Sequence, residues 1–131
     1  MNYDKYMDTE CMALCDALNE LEGVETFESC CGHFKDKFKV FLKCTDLSSM
    51  AIIARVFDRR YYNGVVLWKV GLDTLDVESN PQFCISLVSD RPYFNDYEMG
   101  MDLYNIISNL HYWSQPHYKE YFNPNKKLDL V

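Results

Sequence analysis

Arginine beside aromatic rings occurs twice in this sequence, as Asp58-Arg59-Arg60-Tyr61-Tyr62 and as Arg91-Pro92-Tyr93-Phe94. A guanidinium fork binds phosphate oxygens two at a time, and a neighbouring ring can stack on a base. Arg55 and Arg59 stand one helical turn apart, so a helix ending near Arg60 would turn both toward one anion. The same charges also suit a helix C-terminus, where they complement the macrodipole. A third segment, Ser29-Cys30-Cys31-Gly32-His33, reads as a tight turn between two strands. Gly32 can adopt positive φ there and expose backbone N–H groups to an anion, with His33 as a further donor. A nucleophile at Cys30 or Cys31 would need a paired base, which closeness in sequence does not establish. The alternative is a plain hairpin turn with small buried cysteines. The candidate ligand-binding residues are therefore Arg59, Arg60, Tyr61, Arg91, Tyr93, Phe94, His33 and Ser29, with no catalytic residue and no metal ligand among them.

Other groupings carry less. Cys11, Cys15, Cys30, Cys31 and His33 assemble a zinc site on paper. Cys11 and Cys15 nevertheless share the apolar stripe of a helix, and no cysteine pair has two-residue spacing. Lys35, Lys37, Lys39 and Lys43 form the one dense basic stripe, which suits phosphate or, equally, a strand that must resist pairing with other chains. Tyr112, Trp113, His117, Tyr118, Tyr121 and Phe122 are many rings for a free terminus, so they pack on the chain itself or form a subunit interface. Walker-type, GxGxxG, GxSxG and HExxH motifs are all missing, so a conventional cofactor enzyme has little support and no cofactor is expected.

Charge narrows the partner. Lys and Arg number 13 against 20 Asp and Glu, a formal net charge of −7 over 131 residues. A protein that neutralises a long polyanion should be basic or carry a large basic face, which disfavours long nucleic acids and anionic membranes. A small anion in a local pocket is not disfavoured. Aromatic residues make up 15%, more phenols than a core of this size easily hides. The N-terminus lacks the pattern of a signal peptide, and no apolar run approaches the length of a membrane span. Six cysteines without any sign of export read as reduced thiols, and the expected compartment is the cytoplasm.

The elements that must position these residues follow from periodicity. Cys11, Leu14, Cys15, Leu18 and Leu21 recur at helical spacing, with Gly23 as the stop. Val24 to Phe27 reads as a strand, and the alternation from Phe34 to Cys44 as a second. A helix opened by Asp46 or Ser48 runs to about Arg60, and Asn63-Gly64 is a turn. Val65 to Val70 and Phe83 to Val88 read as strands flanking a polar loop, Asp76 to Pro81. A last helix spans Asp96 to Trp113 with Leu103, Tyr104, Ile107 and Leu110 as its stripe, closed by Pro116. The order αββαββα predicts an α+β fold: residues 1–131 as one small-ligand-binding domain, its four-stranded, mainly antiparallel sheet carrying packed helices and its C-terminal tail aromatic.

Two resemblances rest on these segments. Leu18 to Thr26, the Ser29-Cys30-Cys31-Gly32-His33 turn, the following strand, Asp46-Leu47 and the next helix resemble the methyltransferase family of wybutosine synthesis. That family's turn is Thr-x-x-Ser-Cys-x-Gly-Arg, matched by Thr26, Ser29, Cys30 and Gly32, with His33 in the place of Arg. The overlap runs from about Leu14 to Leu72, and it implies S-adenosylmethionine-dependent chemistry on RNA. Over most of its length the chain is also similar to small phage proteins of the first anti-Thoeris sponge class. Leu18 to Gly23, Glu28 to His33 and Asp58-Arg59-Arg60-Tyr61 carry that likeness. It implies a non-enzymatic homo-oligomer in the host bacterial cytoplasm that sequesters a cyclic ADP-ribose-type signal, in some members a cyclic oligonucleotide, at a subunit interface. Arg59, Arg60 and Arg91 would then meet phosphates, and Tyr61, Tyr93 or Phe94 would stack on adenine. A sponge is the leading expectation. The methyltransferase reading and an inhibitor acting purely by protein–protein contact stand as alternatives.

Overall fold

A computed structural model describes residues 9–77 and 80–119. Within them the chain forms α1 (Thr9–Asn19), β1 (Val24–Cys30), β2 (Lys39–Cys44), α2 (Leu47–Val56), β3 (Trp68–Val77), β4 (Asn80–Ser89), α3 (Asp96–Trp113) and the single turn α4 (Pro116–Lys119). The sheet order is β1-β2-β4-β3, antiparallel throughout, so two hairpins lie side by side through β2 and β4. This is the α+β arrangement that the alternation of elements predicts.

Register decides what faces the core. Val40 and Leu42 of β2 sit opposite Leu87 and Ile85 of β4, and all four are buried beneath the helices. Lys39 and Lys43 point to the other face beside the half-buried Phe41. Lys35 and Lys37 precede β2 rather than continue it. The reason is a run of left-handed backbone at Gly32, His33 and Phe34, with φ of 82°, 52° and 63°, which delays the strand to Lys39. Gly32 is required there, since a Cβ would come within 2.9 Å of the Lys37 carbonyl oxygen.

At the end of the sheet formed by the start of β3 and the close of β4, Trp68 is the centre of an aromatic core. Phe38 and Phe57 each lie 5.3 Å from its ring, and Tyr93 meets Phe38 edge-on at 6.3 Å. Each buried ring contributes about 2 kcal/mol or more of hydrophobic stabilisation. Helices α2 and α3 both have side-chain caps. Asp46 accepts from the Ser49 N–H at 3.0 Å, and Asn95 from the Glu98 N–H at 2.9 Å. Glu98 returns the bond by accepting from the Phe94 N–H at 3.1 Å, a reciprocal cap that fixes the entry into α3.

Some expected boundaries shift. The polar stretch from Asp76 is not an open loop, because β3 and β4 pair out to Val77 and Asn80 and run past the end of β2. Val65 to Leu67 stays outside β3; hydrogen bonds described below draw Val65 and Val66 toward α3, while the Leu67 carbonyl accepts from the Asp90 N–H. On α3 the buried set is Met99, Asp102, Leu103, Ile106 and Leu110, while Tyr104 of the expected stripe faces solvent. Pro116 opens α4 instead of only ending α3. Tyr121 and Phe122 lie outside the described residues. No helix among the described residues is long and apolar enough to cross a membrane.

Candidate functional site

Helix α2 ends at Val56, and the chain turns through Asp58–Tyr62 before crossing α3. Arg55, on the last turn of α2, places its guanidinium 3.7 Å from the centre of the Tyr61 ring and 5.0 Å from that of Trp113. The charge is held between two π faces, an attraction that strengthens as water is removed. Arg60 lies 5.4 Å from the same Tyr61 ring and grips Asp58 with both Nη2 and Nε, at 2.8 and 3.2 Å. That grip and the Arg60 N–H hold the Asp58 carboxyl down at about 2, well below the usual carboxylate range. Arg59 is exposed and carries no ion pair or hydrogen bond among the described residues. Beside this cluster, Tyr61, Tyr62, Asn63, Asn105 and Asn109 line a recess of about 190 Å³.

The loop beneath these groups is rigidly anchored. Asp102, 1% exposed, accepts from the N–H groups of Val65 and Val66 at 2.8 and 3.0 Å and from the Tyr93 hydroxyl at 3.0 Å. The Tyr93 oxygen in turn accepts from the Trp68 indole at 3.2 Å. A buried carboxylate is tolerated only when its lone pairs are filled, and here two backbone donors and a phenol fill them. Burial pushes the Tyr62 and Tyr93 phenols far above their ordinary range, and the Asp102 charge nearby pushes the same way. Gly64 completes the anchor, because a Cβ there would run into the Tyr62 ring.

The second arginine cluster is arranged differently. Arg91 donates to the Pro92 carbonyl at 2.9 Å, lies 3.6 Å from Glu98 and stacks 4.2 Å from the centre of the Phe94 ring. Glu98 is thus shared between the helix cap and the guanidinium. Phe94 is exposed, whereas Tyr93 is 1% exposed and belongs to the core, because its hydroxyl is needed between Trp68 and Asp102. Tyr93 offers no face to a base.

His33 and Ser29 stand elsewhere, His33 on the β1–β2 connection and Ser29 near the end of β1, and neither lines the recess. Ser29 points inward because Phe27 is an extra, bulged residue in β1. The register runs Thr26 to Leu42, then Glu28 to Phe41 and Ser29 to Val40, so the alternation flips after the bulge. The Ser29 hydroxyl is buried as a result. It faces Cys15, whose thiol burial pushes up more than the Ser29 and Thr26 hydroxyls pull it down. His33 is exposed on the left-handed turn, with Nδ1 4.0 Å from the Cys31 sulfur. All six cysteines are free thiols, Cys30 alone exposed. Among the described residues no group of three or more Cys, His, Asp or Glu is placed to hold a metal ion.

The chain therefore brings together Arg59, Arg60 and Tyr61, and separately Arg91 and Phe94. The sequence does not announce Asn63, Asn105 or Asn109, nor Asp102. The one trace of Asp102 is its phase on α3, an acid three residues after Met99 and four before Ile106 on the buried side. The pairing of Arg55 with Trp113 joins residues 58 apart in the chain, beyond the reach of periodicity. Compared with family models, with characterised proteins and with solved structures, the chain matches none.

Proposed function

We propose that this protein is a non-enzymatic capture protein that binds and sequesters a cyclic ADP-ribose-type signalling nucleotide, and so blocks a bacterial antiviral defence in the host cytoplasm. Cyclic oligonucleotides are the second ligand class it would accept, and it would work as a homo-oligomer. The observation that carries this reading is the Arg55 guanidinium sandwiched between Tyr61 and Trp113, with Arg59 open beside it and three asparagines around the adjoining recess. Arg59 has the fork geometry for a pyrophosphate, and the exposed Tyr61 ring can stack on a purine. Asparagine amides donate and accept in the pattern of an adenine edge. The groups around the recess supply hydrogen bonds, positive charge and stacking surfaces. Among the described residues, those that line the recess are tyrosines and asparagines.

At about 190 Å³ the recess is smaller than the ~300 Å³ at which small-molecule sites begin, room for a base rather than a whole dinucleotide. The remainder of the ligand would be covered by a second subunit. The test is to incubate the protein with cyclic ADP-ribose isomers, remove free ligand, denature by heating and identify what is released. Intact ligand in stoichiometric amount is expected. A cleaved or methyl-modified product, or no retained nucleotide, would replace this reading with an enzyme or with a protein–protein inhibitor.

A further inference from the structure

Helix α3 shows solvent a second face, opposite the one that carries Asp102. Tyr97, Met101, Tyr104 and Ser108 follow one another at spacings of four, three and four, so they form a single stripe along the helix. Tyr97 is 75% exposed and Tyr104 73%, and Phe94, just before the helix, is 70% exposed. Burying such rings is the main hydrophobic resource of a protein interface, and this helix leaves three of them in water. A recess of about 460 Å³ lies among Tyr97, Gly100, Met101 and Tyr104, and a Cβ built on Gly100 would meet nothing within 4 Å.

Tyr97, Met101, Tyr104 and Ser108 are uncharged in a chain whose net charge is −7, and the one acid at the rim of the recess is Asp96. From Met99 to Leu110 the one ionisable carboxylate is Asp102, which is buried. The exposed positions in that stretch are Gly, Met, Tyr, Asn and Ser. Two copies of an acidic protein repel over most of their surface, and an uncharged face is where they can touch.

We propose that α3 packs antiparallel on α3 of a second copy about a two-fold axis between Met101 and Tyr104. The projecting ring and the recess that would receive it lie three to four residues apart on one face. A self-complementary surface of this kind is what a two-fold contact requires. In this register Tyr104 enters the recess at Gly100 and Met101 of the partner subunit, and Tyr97 covers Ser108 of the partner subunit. The exposed acid at the start of the stripe, Asp96, then faces Asn109 of the partner subunit, an amide donor instead of a second acid. The area is sufficient. A tyrosine or phenylalanine buries roughly 200 Å² when fully covered, so these three rings present roughly 430 Å² per copy. With Met101 and the flanking polar residues, the two copies together exceed the ~1,000 Å² that separates specific interfaces from incidental contacts.

This inference deepens the proposed function by naming the partner and the surface it uses. Within one chain the Tyr61 recess and the Phe94 ring belong to opposite ends of α3. An antiparallel pair brings Phe94 of the partner subunit, as part of the contact, to the end where Tyr61 and Asn109 stand, so the contact itself walls that side of the recess.

Analytical ultracentrifugation of the full chain without nucleotide tests the pairing independently of ligand. A dimer is expected for the native sequence, with dissociation weakened at least 100-fold by Gly100→Arg and by Tyr104→Glu. Leu72→Lys, on the solvent-exposed part of β3, should leave the dimer unchanged. With Cys30→Ser removing the exposed native thiol, Met101→Cys should give a covalent dimer with a short bis-maleimide crosslinker, a readout that does not depend on disruption. A monomeric native protein, a dimer indifferent to Gly100→Arg, or a dimer split by Leu72→Lys would each overturn the proposal. Dimerisation with the expected mutant pattern but no nucleotide retention would leave the interface standing and remove the capture function.

Discussion

Asp58–Tyr62 and Arg91–Phe94 are built from the same residue types, yet the fold uses them in different ways. In the second segment the neighbours consume nearly everything. Glu98 takes the Arg91 charge, the Pro92 carbonyl takes one of its N–H groups, Phe94 takes its face, and Tyr93 is drawn into the core. In the first, Asp58 occupies Arg60 alone, Arg55 is spread between two rings, and Arg59 stays open. Residue chemistry is thus equal and availability is not. What separates the two is the local acid: Glu98 is fixed by the cap of α3 and reaches Arg91, while Asp58 lies two residues from Arg60 and too close in the chain to serve the others.

The sharpest way to break this contrast is to remove the anchor of the first segment. Asp102→Ala leaves the Val65 and Val66 N–H groups and the Tyr93 hydroxyl without their acceptor, and should cost about 4 kcal/mol of stability. Chemical denaturation measures it. Glu98→Ala, which disturbs only the second segment, should cost about 1 kcal/mol. Comparable losses from the two variants would erase the distinction. Next in size is the ligand effect. Arg59→Ala should weaken nucleotide binding about 30-fold in calorimetry, the loss of one charge-assisted phosphate contact. Arg91→Ala should change it less than about threefold, because that guanidinium is already engaged.

A smaller expectation concerns the buried relay. Tyr93→Phe removes the acceptor for the Trp68 indole and one donor to Asp102, for about 1 to 2 kcal/mol. Tyr61→Phe, on the exposed side, should leave stability within about 0.5 kcal/mol. The last expectation is a titration. The Asp58 pKa is depressed by Arg60 in the folded protein, so this contact stabilises the fold above the unfolded carboxylate's value of about 3.9. The contribution is lost as pH falls through about 2. Carboxyl chemical shifts should place the Asp58 midpoint near that value, and Arg60→Ala should return it to the ordinary range.

Much of the fold is legible in the sequence because each element carries its own punctuation. Asp96 to Trp113 is bounded as expected, since Asn95 caps one end and the periodicity stops at the other. The start of β2 is misread because the alternation of Phe34 and the lysines imitates a strand, while Gly32 imposes a left-handed turn that hydropathy does not register. Ser29 turns inward for a reason no pattern announces, a single bulged residue at Phe27. The candidate site is half legible. Arg59, Arg60 and Tyr61 are consecutive and stay together. Trp113, Asn105 and Asn109 join them only through the packing of α3 against α2. Tyr93 beside Arg91 looks like Tyr61 beside Arg60, and only the buried acid at Asp102 tells them apart.

The central claim is capture of a small nucleotide without chemistry at the Arg55–Arg59–Tyr61 cluster. Native mass spectrometry tests it most directly, with a panel of cyclic ADP-ribose isomers and cyclic di- and trinucleotides offered to the native protein and to Arg59→Ala. An intact ligand adduct at fixed stoichiometry on the native protein, strongly depleted in Arg59→Ala, is the predicted result. No adduct from any member of the panel, or equal adducts on both proteins, would contradict it.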